Sequence, residues 1–328
     1  MKHSFLGQKV LITGGLGFIG SRLARRLVAE GAIVQLVDSL IPEYGGNTFN
    51  IAGLEDRLRV NISDVRDEHS LRSLIQGQDV LFNLAGQTSH LDSMQNPQAD
   101  LDINCKAQLS ILECCRRVNP DIRVVFASTR QLYGKPLYLP VDEKHPLAPV
   151  DVNGINKLAG ESFHILYHKV YGIRACALRL TNTIGPGMRV KDARQTFLGI
   201  WIRLLLEGKS FEVWEGAQLR DFTFVDDAVE AFLSAAASDH SPGEIYNLGG
   251  CERIRLDDLA KLLVKVNGGA GMFSVRSFPA DRKAIDIGDY YADYSKARTG
   301  LGWEPKTALS DALSKTLAYY RENLKQYL

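Results

Sequence analysis

Residues 10–20 read Val10-Leu-Ile-Thr-Gly-Gly-Leu-Gly-Phe-Ile-Gly20. The stretch begins as an apolar run of strand length, and Gly14, Gly17 and Gly20 lead from it into a pattern typical of a helix. Glycines allow a tight turn and a close approach of the backbone to a ligand, while the first turn of a helix offers unpaired N–H groups and a positive potential. The stretch therefore predicts a strand, a glycine turn and a helix that bind a phosphate group.

Asp38 ends the next predicted strand, where its carboxylate can accept hydrogen bonds from both hydroxyls of an adenosine ribose. The same carboxylate repels the additional phosphate of NADP, and residues 39–43 contain no basic side chain that would attract it. We therefore predict a dinucleotide site that takes NAD. Asp64 follows the third predicted strand, where it can either reach the adenine or cap the helix that begins near Glu68.

Apolar runs of strand length alternate with amphipathic helical stretches from Lys9 to about Leu180, a pattern typical of a parallel sheet with helices on both faces. The predicted strands are Val10–Thr13, Ile33–Val37, Leu58–Ile62, Val80–Leu84, Val124–Ala127 and Ile173–Leu180. The clearest predicted helices are Ser21–Glu30, Ala99–Val118 and Val152–Val170. We therefore predict an α/β fold in which residues 1–180 form a Rossmann-type, doubly wound parallel sheet that binds NAD.

Residues 181–328 alternate less regularly and predict a smaller substrate-binding lobe at the C-terminal side. Its predicted helices are Gln195–Glu207, Asp226–Ala237, Leu256–Val266 and Ser310–Asn323. Two short predicted strands, Phe222–Val225 and Ile245–Leu248, can return to the first domain, so the boundary between the two parts need not be a single cut.

The composition excludes several classes of partner. The 328 residues include 39 Lys and Arg against 38 Asp and Glu, so there is no charge excess that would favour nucleic acid or an anionic membrane. The five cysteines follow no metal-ligand or redox spacing, which predicts reduced thiols and no metal site. No run approaches 18 uncharged apolar residues, and Met1–Gln8 is too short for a signal peptide. We expect a cytoplasmic protein that binds small molecules.

Several further motifs resemble one family, the extended short-chain dehydrogenases/reductases, in the branch of NAD-dependent nucleotide-sugar epimerases and dehydratases typified by UDP-glucose 4-epimerase. The matching segments are Thr13–Gly20, Asp64-Val65, Asn83–Gly86, Ala127–Gly134, Lys157–Glu161, Arg179–Asn182 with Gly185-Pro186, Arg220–Asp227 and Leu301–Pro305. The resemblance implies that a tightly held NAD takes a hydride from a sugar carbon and returns it after the keto-sugar has rotated or lost a group.

The resemblance also implies which residues bind the cofactor and the substrate. The residues expected at the cofactor are Gly14, Gly17, Phe18, Ile19, Gly20, Asp38, Asp64, Val65, Leu84, Ala85, Gly86, Asn104 and Lys157. Those expected at the substrate are Asn182, near its diphosphate, and the diphosphate clamps Arg220 and Arg282. A homodimer is expected through the helices near Ala99–Val118 and Val152–Val170.

The catalytic residues depart from the family at one position. The family uses a tyrosine four residues before a lysine, with a Ser or Thr that shares the proton. Lys157 and Thr129 match, but Asn153 stands in the place of the tyrosine. An amide does not titrate near neutral pH, so Asn153 can bind a hydroxyl but cannot accept its proton.

Three hypotheses follow from Asn153. The first, which we favour, keeps the enzyme and assigns the base to another residue: His90, which can equally serve to hold its loop; Tyr133, whose ring usually packs in this motif; or Asp92, if burial raises its pKa. The second is a protein that binds NAD and a sugar nucleotide without turnover. The third is a tyrosine-to-asparagine replacement introduced to trap a complex.

The two residues after Thr129 indicate which of the family's reactions this chain catalyses. Family members that eliminate water carry an acidic pair there, whereas this chain has Arg130 and Gln131. Epimerisation therefore ranks first, decarboxylation of a uronic acid second and dehydration last. Arg130 can bind a substrate carboxylate, or it can form an ordinary surface salt bridge.

Overall fold

The computed structural model describes residues 4–328, except for the side chains of residues 280 and 281. The strands are β1 Lys9–Thr13, β2 Ile33–Asp38, β3 Arg59–Ile62, β4 Val80–Asn83, β5 Arg123–Thr129, β6 Arg174–Leu180, β7 Asn182–Ile184, β8 Phe211–Trp214, β9 Leu219–Phe224, β10 Ile245–Asn247, β11 Arg253–Arg255 and β12 Phe273–Arg276. Residues 1–3, part of the segment predicted to be too short for a signal peptide, lie outside the described range.

The helices are α1 Phe18–Ala29, α2 Glu68–Ile75, α3 His90–Gln95, α4 Pro97–Leu101, α5 Ala107–Val118, α6 Val152–Tyr171, α7 Phe197–Leu206, α8 Val225–Ala237, α9 Leu256–Val266, α10 Ala280–Lys283, α11 Ser295–Leu301 and α12 Leu309–Asn323. A π-helical turn, Asp102–Lys106, joins α4 to α5. The single helix predicted over Ala99–Val118 thus continues through a wider turn that holds more residues.

The central sheet confirms the predicted α/β fold. Seven parallel strands of the described chain lie in the order β3-β2-β1-β4-β5-β6-β10, which is the Rossmann-type arrangement extended by one strand. The six strands predicted for the first half all belong to it, with ends that differ by one or two residues. The order reverses between β1 and β4, which creates a crevice at the carboxyl ends of these two strands.

Apolar side chains cover both faces of the sheet, as the near-continuous hydrophobic strands require. On one face α1, α8 and α11 bury residues such as Leu23, Phe232 and Leu301. On the other face α2, α5 and α6 bury residues such as Ile111 and Tyr167. The later part of the chain thus supplies α8, α11 and β10 to the first sheet.

The two short strands predicted in the second half belong to different sheets. Ile245–Asn247 joins the central sheet as β10, beside β6. The segment predicted over Phe222–Val225 does not return, because it belongs to β9, which pairs with β7 and β11 in a separate three-stranded sheet.

The second lobe has its own hydrophobic core and is linked to the first lobe by side-chain contacts. Trp201 and Phe211 stack within this core, and Phe18 at the start of α1 extends into it. Beyond α12, the Tyr327 hydroxyl donates to Asn50 Oδ1 at 2.6 Å, and Asn50 in turn donates to the carbonyl oxygen of Leu16 at 2.9 Å. A side chain of the second lobe thereby supports the glycine turn of the first.

Within residues 4–328, none of the helices combines the length and the apolar character needed to cross a bilayer.

Candidate active site

The crevice between β1 and β4 has the glycine turn as one wall. Gly14 has a φ of 66°, and a Cβ on Gly20 would overlap the carbonyl oxygen of Gly14. Gly17 precedes α1 and has no side chain to cap it, so the first N–H groups of the helix stay available to a ligand. The turn is shaped to hold a phosphate group against the start of α1.

Asp38 lies on the same crevice at the end of β2. Its two carboxylate oxygens accept hydrogen bonds from the backbone N–H groups of Leu16 and Leu40 at 3.0 and 2.9 Å. Burial raises the pKa of this carboxyl, and the two N–H groups oppose that effect. The bonds fix the carboxylate beside the glycine turn, while each oxygen keeps a lone pair for a ribose hydroxyl.

Asp64 also lines the crevice, but it does not cap α2. Its carboxylate pairs with Arg66 at 2.6 Å, and the hydrogen bond from Arg66 holds the pKa of Asp64 below its ordinary value. The cap of α2 is Asp67, whose side chain accepts bonds from the N–H groups of His69 and Ser70. The structure thus excludes the capping role that the sequence left open for Asp64.

Lys157 projects from α6 to the opposite wall of the crevice, beside Gly86. Its ammonium donates to the carbonyl oxygen of Ala127 at 3.2 Å, and burial lowers its pKa to about 8. A Cβ on Gly86 would lie 2.9 Å from both Lys157 Nζ and Asn104 Oδ1, which explains why a residue without a side chain stands at this position. Asn104, expected at the cofactor, stands behind Gly86 and outside the crevice lining, where its amide donates to the carbonyl oxygen of Gln87 at 2.9 Å.

Asn153 is buried at the start of α6 and contributes to the crevice lining. Its amide nitrogen donates to the carbonyl oxygen of Gln87 at 2.8 Å and to Asp100 Oδ2 at 3.0 Å. Its amide oxygen receives no hydrogen bond from any residue that the structure describes. The nitrogen is therefore committed to the protein, and the oxygen is the atom that remains for a ligand.

Asp100 anchors this arrangement from α4. It is fully buried, and its second oxygen accepts a hydrogen bond from Asn156 Nδ2 at 2.8 Å. Two side chains of α6, Asn153 and Asn156, thus satisfy one carboxylate of a neighbouring helix. A tyrosine at position 153 would remove one of these two donors.

His90 opens α3 and pairs with a buried carboxylate. Its Nδ1 lies 2.9 Å from Asp151 Oδ2, and its side chain is 38% exposed. Asp151 caps α6 by accepting from the N–H of Gly154 at 2.6 Å, and it also accepts from Gln131 Nε2 at 3.0 Å. Burial raises the pKa of Asp151, but the contacts with His90 and the other donors outweigh it and leave the pKa lowered. Nδ1 lies at ion-pair distance from this carboxylate without an aligned hydrogen bond, and Nε2 has no hydrogen-bond partner among the described residues.

The other two candidate bases, Tyr133 and Asp92, form their contacts outside the crevice. Tyr133 is buried outside the crevice lining, donates to Asn247 Oδ1 at 2.7 Å and accepts from Arg179 at 2.6 Å. Burial raises the pKa of Tyr133 to about 12. Asp92 pairs with Arg194 at 2.8 Å and lines only the outer cavity described below. These contacts exclude Tyr133 and disfavour Asp92 as a base for a ligand in the crevice.

The structure brings the predicted catalytic residues together. Thr129 ends β5, and its hydroxyl accepts from the N–H of Gln131 at 3.2 Å, which leaves its own hydrogen free to donate. The crevice lining contains Thr129, Lys157, Asn153 and His90. It also contains every residue expected at the cofactor except Asn104, namely Gly14, Gly17, Phe18, Ile19, Gly20, Asp38, Asp64, Val65, Leu84, Ala85, Gly86 and Lys157.

An outer cavity of about 830 Å³ adjoins the crevice and is large enough for a nucleotide. Arg220 lines it and pairs with Asp286 at 3.2 Å, and burial lowers the pKa of Arg220 to about 10. Arg282 also lines it, with its guanidinium 4.6 Å from the centre of the Trp214 ring. Both expected diphosphate clamps therefore face this cavity and lie outside the lining of the inner crevice.

Arg130 and Asn182 lie at the junction, since each lines both the crevice and the outer cavity. Arg130 Nη2 donates to Asn182 Oδ1 at 3.0 Å, and the guanidinium lies 5.2 Å from the centre of the Tyr290 ring. Among the described side chains, no carboxylate pairs with Arg130. The surface salt bridge that the sequence left open for it is therefore absent among the side chains that the structure describes.

Sequence reasoning missed the residues that support the site. Asp151 precedes α6 and has an ordinary capping pattern, which gives no sign of its contact with His90. Asp100 and Gln87 belong to no recognisable motif, and only the packing of α4 and α6 brings them to Asn153. Only the three-dimensional structure reveals the roles of these residues, because each lies far from its partner in the sequence.

Known proteins resemble this chain over nearly its whole length. A Methanocaldococcus jannaschii protein provisionally named UDP-glucose 4-epimerase is 31% identical over 96% of this chain and 99% of its own. UDP-glucuronic acid decarboxylase 1 of Xenopus tropicalis is 30% identical over 97% of this chain and 73% of its own. The structure of a Bacillus cereus UDP-glucuronic acid 4-epimerase, in complex with UDP-glucuronic acid and NAD, matches with a TM-score of 0.86 at 29% identity, covering 96% of this chain and 99% of that one.

The family model described as the NAD dependent epimerase/dehydratase family matches residues 10–249, which include the glycine turn, the crevice and β10. The glycine turn, the fixed carboxylate of Asp38 and the uncapped start of α1 fit its dinucleotide, and NAD is the cofactor. The chain belongs to the NAD-dependent epimerase/dehydratase family.

Proposed function

We propose that the protein is an NAD-dependent nucleotide-sugar epimerase that oxidises its sugar transiently to a keto-sugar and reduces it again, with a UDP-sugar reacting at C4 as the first substrate to test. The observation that carries the proposal is the pairing of His90 with the buried Asp151 on the crevice that holds Thr129 and Lys157. Asn153 takes the place of the tyrosine that the family resemblance implies.

His90 is the proton acceptor in this proposal. Its Nε2 takes the proton of the reacting hydroxyl, because Nδ1 faces the carboxylate of Asp151. The carboxylate of Asp151 stabilises the imidazolium that forms, as an oriented carboxylate does for other catalytic histidines. The same imidazolium returns the proton when the sugar is reduced again, so no proton is consumed overall.

The other crevice residues bind and orient the reactants. When bound, NAD accepts a hydride from the sugar and gives it back. Lys157 binds the nicotinamide ribose through its buried ammonium, and the Thr129 hydroxyl donates to the oxygen that loses its proton. The free amide oxygen of Asn153 accepts a hydrogen bond from a neighbouring hydroxyl and takes no proton.

Epimerisation is favoured over the alternatives by the residues that follow Thr129. Arg130 cannot act as a carboxylic acid or base, and the amide of Gln131 donates to Asp151. Elimination of water, which needs an acid and a base there, has no residue to carry it. Relatives named for reactions of UDP-glucose and UDP-glucuronic acid support a UDP-sugar as substrate.

We also propose that the protein is a homodimer through α5 and α6. Leu109 on α5 and Ile155, Leu166 and Val170 on α6 are apolar yet 37 to 59% exposed. On α6 these residues recur at helical spacing, so they form an apolar stripe on the face away from the crevice side chains.

The first experiment incubates the protein and NAD with UDP-, dTDP-, GDP- and CDP-sugars, following product structure by NMR and NADH by absorbance. A new epimer of one sugar nucleotide is the expected result. His90→Gln should then lower kcat by about 10²–10⁴-fold, because general base catalysis contributes that much, with the Kd of the sugar nucleotide little changed. Asp151→Asn keeps a capping residue at the start of α6 and removes the charge, so it should also lower kcat.

His69→Gln is the matched control, since His69 is exposed on α2, and it should leave kcat unchanged. A His90→Gln enzyme with wild-type kcat would show that another group is the base. Binding of sugar nucleotides without any product or NADH, followed by turnover in Asn153→Tyr, would establish a binding protein in place of an enzyme.

A further inference from the structure

Two buried hydrogen-bond donors lie unused at the junction of the crevice and the outer cavity. Arg130 Nη1 and Asn182 Nδ2 are both shielded from solvent, and neither has an acceptor among the residues that the structure describes. The two side chains touch each other through Arg130 Nη2 and Asn182 Oδ1, so the free donors belong to one unit. Buried donors without an acceptor are costly, and a ligand with acceptor oxygens would satisfy them.

The same place carries the charge of Arg130, which forms no ion pair with a described carboxylate and feels Asp221 and Asp286 only at longer range. Asp286 pairs with Arg220, and the buried Asp221 accepts bonds from the Thr181 hydroxyl and from the N–H of Ala292 at 3.1 Å. Burial lowers the pKa of Arg130, and the charge of Arg130 contributes to the lowered pKa of Arg220. A second arginine that repels the first points to an anionic ligand at this junction.

The position of Arg130 indicates which part of the ligand bears the charge. Arg130 directly follows Thr129, which we assign to the reacting hydroxyl, and it lines the inner crevice as well as the outer cavity. Arg220 and Arg282 line only the outer cavity and are the two cations expected at the diphosphate. Arg130 is therefore the arginine on the side of the reacting hydroxyl, where a substituent of the sugar ring would lie.

We propose that the substrate is a nucleotide uronate, a sugar nucleotide whose sugar bears a carboxylate, and that Arg130 and Asn182 bind this carboxylate. Asn182 is thereby assigned to the sugar instead of the diphosphate, where the family resemblance places it. A guanidinium presents parallel N–H groups that match the two oxygens of a planar carboxylate, and Asn182 adds a third donor. The inference rests on the proposed function, since it names the class of sugar that the same site takes.

The test compares two ligands that differ only in this group. The nucleoside diphosphate that binds the NAD-loaded protein most tightly is identified first by calorimetry among UDP, dTDP, GDP, CDP and ADP. Its glucose and glucuronic acid esters are then titrated into wild type, Arg130→Met and Arg282→Gln. We expect wild type to bind the glucuronic acid ester at least about tenfold more tightly, since charge-assisted bonds to a buried group are worth that much.

Arg130→Met should abolish this preference and leave the affinity for the glucose ester and the free diphosphate within about twofold. Its melting temperature should not fall below that of wild type, because an unpaired buried charge is removed. Arg282→Gln removes a cation that lines only the outer cavity, so it should weaken both esters by one common factor and keep the preference.

Three results would overturn the inference. Equal affinity of wild type for the two esters, or a preference for the glucose ester, would show that the sugar bears no carboxylate at this place. An equal loss of both esters and of the free diphosphate in Arg130→Met would make Arg130 a diphosphate ligand. Failure of every nucleoside diphosphate to bind would contradict the proposed function itself, which distinguishes that failure from the other two.

Discussion

The imidazole of His90 and the ammonium of Lys157 are the two groups of the crevice whose protonation matters most for the proposed chemistry. They differ in their surroundings. His90 is partly exposed and faces the charged Asp151, whereas Lys157 is wholly buried and has only a carbonyl oxygen at hydrogen-bond distance. A histidine beside a carboxylate suits proton transfer, while a buried ammonium is poised to gain a hydrogen-bond partner from a ligand.

Lys157→Met tests the burial of this ammonium. The folded protein releases the Lys157 proton at a pKa of about 8, against 10.5 for an ordinary lysine, so the unfolded chain binds more protons between these values. Wild type therefore bears a stability penalty below pH 8 that declines as the pH rises towards 10. The NAD-free variant should be about 2–4 kcal/mol more stable than wild type at pH 7, and the difference should shrink above pH 8.

Urea unfolding from pH 7 to 10 measures this difference. Lys169→Met, an exposed position on the same helix, is the control and should show no such trend. A constant difference between Lys157→Met and wild type at every pH would contradict the burial penalty.

For single residues, the sequence identifies those that belong to motifs. It misses those whose role depends on a contact with a residue that is distant in the chain. Gly14, Asp38, Thr129 and Lys157 follow from local patterns and lie on the crevice as expected. Asp151 could not be identified as the partner of His90, because capping alone accounts for an aspartate before a helix.

Helices α4 and α6 are joined by a single buried carboxylate. Asp100 receives one hydrogen bond from each of Asn153 and Asn156, and all three side chains are buried. A satisfied carboxylate of this kind fixes the register between two helices, since either asparagine would otherwise be left with buried, unpaired N–H groups. The start of α6, and with it Asn153 and Lys157, is held in place by this contact.

Asp100→Asn should therefore destabilise the protein by about 2–4 kcal/mol, because an amide nitrogen would replace an oxygen that accepts a buried hydrogen bond. Urea unfolding measures the change. Asp102→Asn is a matched control close by in the chain, since the Asp102 side chain is partly exposed and contacts Lys106 and Gln98 at the surface. It should leave stability nearly unchanged, and equal losses in the two variants would contradict the anchoring role of Asp100.

The π-helical turn shows what a hydrophobic pattern cannot reveal about an element. The sequence predicts one helix over Ala99–Val118, and the turn at Asp102–Lys106 interrupts neither its course nor its apolar face. A π-helical turn accommodates one additional residue, which shifts the pattern too little for periodicity to detect. Yet it sets where Asn104 stands, behind Gly86 and beside Lys157.

The whole molecule is two lobes built from interleaved parts of the chain. Alternation of strands and helices predicts the first six strands and their parallel order, because few topologies satisfy right-handed crossovers. It does not give the position of β10, which the sequence predicts as a short strand that can return to the first domain and which owes its place beside β6 to pairing. Nor does it place α8, whose apolar face fits the central sheet as well as it would fit the second lobe.

The apolar stripe on α6 leads to a prediction about assembly. Sedimentation equilibrium should give twice the chain mass of 36.4 kDa for wild type, and the double variant Leu166→Glu with Val170→Glu should give the mass of one chain, because charge on a buried apolar interface is costly. Leu137→Glu, at an apolar residue 77% exposed elsewhere on the surface, should remain dimeric. A monomeric wild type would contradict the proposed interface.

The hydrogen bond from Tyr327 to Asn50 has a consequence for how the protein is made. Asn50 supports the glycine turn through Leu16, and its own support comes from a residue 277 positions later in the chain. A ribosome adding about 5–20 residues per second needs about 15–55 s to bridge that interval. The nascent chain therefore presents its glycine turn long before Tyr327 is available to support Asn50, and the complete support of the turn forms only after the second lobe has been synthesised.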